Sequence, residues 1–149
     1  MKLEGVKNHL LLCNGASCTR NGAQEVTEAI RQEIRQLSMQ KVVHTTKTLC
    51  NGRCAFGPIV IQYPRGIWYD QMTPERGRQL AQSIYQNISY LETASHVYDG
   101  RIFLKLEQGV NVNGDYWTGN DEDAHRDKHL SDGDRTKEPS LRKSEKQSD

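Results

Sequence analysis

Two close pairs of cysteines, set far apart along the chain, constrain it more than any other feature. They read C-x4-C-x31-C-x3-C, with Cys13 and Cys18 in one pair and Cys50 and Cys54 in the other. Asn14-Gly15 lies within the first pair and Asn51-Gly52 within the second, so both pairs sit in turn-forming segments rather than on apolar faces. Neither is a C-x-x-C, which disfavours a redox-active dithiol. No apolar run approaches the roughly 20 residues that span a bilayer. Leu10-Leu11-Leu12 is too short for a secretory-signal core, which takes about 7–15 residues. The expected compartment is therefore the cytoplasm, where thiols stay reduced. Reduced cysteines in pairs point to metal or redox chemistry before structural disulfides.

The segments around the pairs alternate between strand and helix patterns. His9 to Cys13 reads as a short buried strand. From Ala23 onward, Val26, Ala29, Ile30, Ile34 and Leu37 recur at spacings of three and four and line one helical face. Lys41 to Thr48, rich in Val and Thr, reads as a second strand. Pro58 to Tyr63 and Ile67 to Asp70 form a third and fourth strand joined by the turn Pro64-Arg65-Gly66. Thr73-Pro74-Glu75 starts a second helix, with a Thr cap, Pro at the first helical position and an acid in the first turn. Its apolar face, from Leu80 through Ile88 and Leu91, runs to about residue 92. The order β-α-β-β-β-α implies an α/β fold with one small mixed sheet and two helices packed against it. Further on, Asp99-Gly100 between Val97-Tyr98 and Ile102-Phe103-Leu104 signals a hairpin with a two-residue type I′ turn.

Composition divides the chain into a domain at 1–92, an extension at 93–118 and a polar tail at 119–149. The tail holds three aliphatic residues, Ala124, Leu130 and Leu141, among nine acids and seven bases. So little apolar surface cannot offset the entropy of ordering, and the tail is expected to be disordered. Lys and Arg total 20 against 19 acids, a net charge of +1, which argues against nucleic-acid binding driven by charge.

The chemistry depends on whether the cysteine pairs meet. If the first two strands run parallel across a helical crossover, both C-terminal ends lie at one edge of the sheet, and the loops that follow are neighbours. Four convergent thiolates are soft ligands that suit iron–sulfur clusters, zinc or Cu(I). The x4 and x3 spacings favour wrapping a two-iron rhombus, while zinc sites tolerate two to four intervening residues. Asn21 stands where a C-x4-C-x2-C iron–sulfur run would have its third cysteine. Small and polar residues between the cysteines let backbone N–H groups approach sulfur, which raises a reduction potential. A helix starting just after Cys18 would add partial positive charge. Arg20 and Arg53 are placed to moderate a cluster's negative charge, to face a partner, or simply to meet solvent.

The run Cys50-Asn-Gly-Arg-Cys54-Ala-Phe-Gly57-Pro58, with Pro64-Arg-Gly-Ile-Trp68-Tyr69 and Thr73-Pro74 after it, resembles the thioredoxin-like 2Fe-2S ferredoxins. The likeness covers roughly residues 8–92. The small thioredoxin-like iron–sulfur subunit of respiratory complex I shares the same cysteine arrangement. A nearer likeness is to the CbiW-type ferredoxins associated with anaerobic cobalamin biosynthesis. The resemblance implies a thioredoxin-like fold, often dimeric, and one 2Fe-2S cluster per chain, with Cys13 and Cys18 on one iron and Cys50 and Cys54 on the other. It implies a one-electron carrier rather than an enzyme, working between redox partner proteins, a reductase and an acceptor enzyme. It gives no role to nucleic acid or membrane. The rival readings are a zinc-stapled interaction module, an electron-relay subunit of a larger oxidoreductase, and a cluster-transfer or sensing protein.

Other candidates carry less. His44 in its strand reads as a structural histidine, and Trp68 and Tyr69 read as packing residues. His96, His125 and His129 lack the spacing of a metal site on a rigid element. Tyr116-Trp117 closes the core or anchors a partner.

Overall fold

The computed structural model describes residues 3–107. The expected polar tail, Tyr116-Trp117, His125 and His129 lie outside the described residues. The described chain runs β1 (Asn8–Cys13), α1 (Ala16–Arg20), α2 (Ala23–Gln36), β2 (Val43–Thr48), a 3-10 turn (Cys54–Phe56), β3 (Val60–Tyr63), β4 (Ile67–Tyr69), α3 (Pro74–Tyr85), β5 (Ala94–Tyr98) and β6 (Phe103–Lys105). The strands form one mixed sheet in the order β2-β1-β3-β4-β5-β6. β1 and β2 are parallel, with Asn8 opposite Val43 and Cys13 opposite Thr48. The pairs that follow, from β1–β3 to β5–β6, are antiparallel.

Alternation along each strand separates two faces. Leu10, Leu12, Val60 and Tyr69 point to one face and join Val26, Ile30 and Ile34 of α2 and Leu80 and Ala81 of α3 in the main core. Gly77 lets these helices approach: a Cβ there would stand 2.8 Å from Ile30 Cγ1. Glu33, nearly buried at the seam, accepts a hydrogen bond from Gln82 Nε2 at 3.0 Å. Tyr69 is fully buried, and its hydroxyl donates to Gln62 Oε1 at 2.7 Å. The opposite face carries Leu11, Ile61 and Trp68, which pack with Cys13, Cys18, Ala23 and Ile59 in a second, smaller cluster.

Three expectations are corrected. A third helix, α1, occupies what reads as loop between the first two cysteines, so Cys18 lies inside it and the long helix α2 begins only at Ala23. Helix α3 stops at Tyr85, not near residue 92. Asn87, two residues on, takes the left-handed φ of 54° that ends helices, which leaves Ile88 exposed rather than on a helical face. In the β5–β6 turn, Asp99 N–H donates to Ile102 O at 3.1 Å, so the central pair is Gly100-Arg101. Of these two only Gly100 has a positive φ, 97°, whereas a type I′ turn needs both. The Asp99 carboxylate instead closes the turn by accepting from the N–H groups of Arg101 and Ile102, each at 2.8 Å. Thr73 does cap α3, accepting from Arg76 N–H at 3.2 Å.

Candidate metal centre

The parallel pairing of β1 and β2 decides where the cysteines go. Cys13 ends β1 directly opposite Thr48, which ends β2, and Asn14 N–H donates to Thr48 O at 2.8 Å. Cys50 follows two residues later, so both pairs emerge at the same edge. The first loop packs on the second at Gly15, where a Cβ would run into Leu49 O and lie 3.2 Å from Cys50 Cβ. The third segment closes on the first at Gly57, where a Cβ would stand 2.6 Å from Cys18 Sγ.

All four cysteines are free, Cys13 and Cys18 buried and Cys50 and Cys54 exposed. Cys50 Sγ and Cys54 Sγ are 3.6 Å apart. Two sulfurs bound tetrahedrally to one metal at about 2.3 Å lie about 3.8 Å apart, so this pair already has the bite of a metal chelate. Cys13 and Cys18 are packed together in the smaller buried cluster, with Ala23, Ile59 and Ile61. The four do not close on a single point: among the described residues no three His, Cys, Asp or Glu side chains gather tightly enough to share one ion. They stand as two pairs.

The two pairs differ electrostatically. Burial first, and then the adjacent Cys13 thiol, pushes the Cys18 thiol up to about 11. Cys50 is held below the ordinary thiol range by the Gly52 backbone N–H, which donates to its sulfur at 3.4 Å, and by Cys54. Cys54 is raised, chiefly by the neighbouring Cys50. Metal binding to such thiols releases protons.

Polar ties hold the exposed loop. Thr48 Oγ1 donates to Asn51 Oδ1 at 2.9 Å. Arg53 Nη2 donates to Asp70 Oδ2 at 2.7 Å, and the guanidinium lies over the Phe56 ring at 4.6 Å. Two N–H donors of this loop, Asn51 Nδ2 and Arg53 Nε, are buried with no protein acceptor. Thiolate and sulfide sulfur are acceptors, so this donor set fits a sulfur-rich group. Arg20, by contrast, is exposed and donates to Ser17 Oγ at 3.2 Å. Asp70 and Phe56 carry roles that sequence reasoning missed. Phe56 falls inside the cysteine motif, whereas nothing in the chain's pattern marks Asp70.

The remaining candidates lie elsewhere. His9 Nε2 and His44 Nε2 stand 2.8 and 3.2 Å from Thr46 Oγ1, a structural network between the parallel strands. His96 pairs with Trp68 across β4 and β5.

A family model described as thioredoxin-like [2Fe-2S] ferredoxin matches residues 3–85. A putative 2Fe-2S ferredoxin from Priestia megaterium is 39% identical over 113 residues, covering 75% of this chain and 88% of that protein. A 2Fe-2S ferredoxin from Clostridium pasteurianum is 31% identical over 91 residues, covering 54% and 87%. The solved structure of a thioredoxin-like [2Fe-2S] ferredoxin from Aquifex aeolicus has the same fold, with a TM-score of 0.56 at 22% identity over 62% of this chain and 93% of that one. The chain belongs to the thioredoxin-like [2Fe-2S] ferredoxins, a family whose cofactor is a 2Fe-2S cluster.

Proposed function

We propose that the four cysteines hold one 2Fe-2S cluster per chain, Cys13 and Cys18 on one iron and Cys50 and Cys54 on the other, and that the protein carries single electrons between a reductase and an acceptor enzyme. The observation that carries the reading is the meeting of two distinct thiol pairs at the common end of β1 and β2, one pair already 3.6 Å apart. A single zinc ion would draw four sulfurs to about 2.3 Å from one centre; two pairs suit two metal ions. The cluster supplies a one-electron store. The chain's own residues do the rest: the cysteines anchor it, the Gly52 N–H donates to Cys50 sulfur, the unpartnered loop donors Asn51 Nδ2 and Arg53 Nε are available to further sulfur acceptors, and the exposure of Cys50 and Cys54 gives a partner protein a short path to one side.

Anaerobic purification tests this. Two iron and two acid-labile sulfides per chain, visible absorption and a rhombic EPR signal after dithionite are expected. One zinc per chain without sulfide would overturn it. As acceptor we propose an enzyme of anaerobic cobalamin biosynthesis. The support is the likeness of residues 8–92 to the CbiW-type ferredoxins. The test is electron transfer from the reduced chain to a cobalt-reducing enzyme of that pathway. A homodimer is proposed on the same likeness, and sedimentation at micromolar concentration tests it.

A further inference from the structure

Arg53 is the one cation fixed between the two cysteines of the exposed loop, and it is not a free charge. Asp70, at the end of β4, meets it at 2.7 Å, with side-chain exposures of 27% for Arg53 and 14% for Asp70. Partial burial removes most of the water and salt that would screen either charge. Phe56 fixes the other side of the guanidinium. That contact favours the same placement of Arg53 when its partner is lost.

We propose that Asp70 governs the reduction potential of the metal centre through Arg53, by cancelling a positive charge that the ligand loop would otherwise present to it. The inference rests on the cluster assignment above. Reduction adds one electron, and so one negative charge, to the centre. An unopposed Arg53 stabilises the reduced form and an unopposed Asp70 destabilises it; the intact pair does neither. Asp70 is thus a positioning and charge-setting residue that touches no cysteine.

The structure contains its own reporter of this balance. His96 is held below the usual histidine range by burial first, then by Arg53 and Lys105, while Asp70 opposes that shift. His96 therefore reads the two charges without any metal.

The test compares D70N, R53Q, the double variant R53Q/D70N and the charge-keeping variants D70E and R53K, all at one pH. At a fixed donor potential, D70N should raise the ratio of reduced to oxidised protein on the order of tenfold, about 59 mV for one electron. R53Q should lower it by a similar factor, and the double variant should return near wild type. D70E and R53K should stay within about twofold of wild type. In metal-free protein, NMR titration of His96 should move up in R53Q and down in D70N. Equal shifts of one sign in the two single variants, or no shift beyond error, would overturn the proposal. So would loss of the centre in D70N and D70E alike, which would assign the pair a structural role alone. Iron and sulfide counts on each variant separate that failure from failure of the cluster assignment, in which the wild type itself holds no iron.

Discussion

Cys13 and Cys18 sit among Ala23, Ile59 and Ile61, whereas Cys50 and Cys54 stand exposed on a loop. The two pairs are prepared by different physics. Apolar packing and a sheet register place the first, so its geometry is part of the fold. The second is held by a few polar ties: Thr48 to Asn51, Arg53 to Asp70, and the close approach of Gly15 to Leu49. Two thiol pairs at one end of a sheet can thus be set by the core on one side and by tethers on the other, with the tethered pair left exposed.

Substituting one cysteine from each pair breaks the comparison most severely. Cys18→Ser removes a thiol and puts a hydroxyl into an apolar cluster, so the metal-free chain should lose about 1–3 kcal/mol in urea unfolding as well as its iron. Cys54→Ser should alter the visible spectrum, because alkoxide is a harder ligand, while the stability of the metal-free chain stays within about 0.5 kcal/mol. Equal stability loss in the two would erase the distinction.

Gly15→Ala acts on the seam instead. Its backbone, φ −64°, accepts alanine, so only the collision with Leu49 O matters. We expect retained far-UV circular dichroism, a loss of about 1–3 kcal/mol and iron content below half that of wild type. Full iron loading would show that the loops are not in register through this contact. Thiol alkylation of the metal-free native chain sharpens the contrast further. Cys50 and Cys54 should react at least about tenfold faster than Cys13 and Cys18, in keeping with exposure and with the depressed Cys50 thiol. Mass mapping of early adducts on Cys18 would contradict the burial argument.

The smallest effect concerns pH. His9 is held below the usual histidine range by burial and then by His44. Because the folded chain resists protonation there, the unfolded chain binds more protons as pH falls. The contribution of His9 is therefore present above about 6.5 and lost below it as pH drops through the folded value. His9→Asn should flatten the acid limb of the stability curve between pH 5 and 7. An unchanged slope would remove His9 from that account.

Much of this was legible before any coordinates. A strand, a 3.6-residue periodic helix and a Val/Thr-rich strand are legible in the sequence, while their parallel direction, on which the meeting of the cysteine pairs depends, is supplied by the structure. Thr73-Pro74 marked the start of α3 because capping is local chemistry. The end of α3 was not legible: Ile88 and Leu91 continue the apolar period, while Asn87 turns left-handed. The Arg53–Asp70 pair was hidden for a different reason. Ion pairs form across space, and a separation of 17 residues follows no helical or strand period. The short helix around Cys18 is too brief to show periodicity, and packing on Ala23 and Ile59 decides it.

β2 is one of the two edge strands, and among the described residues its one neighbour in the sheet is β1. The chain leaving it carries the exposed thiols, so a bound inorganic centre would act as a clasp on the margin of the sheet. Stripping that clasp should let residues 43–48 fray more than they do in the loaded protein. Faster amide exchange there would be the first sign of it, and an open strand edge the first step toward precipitation.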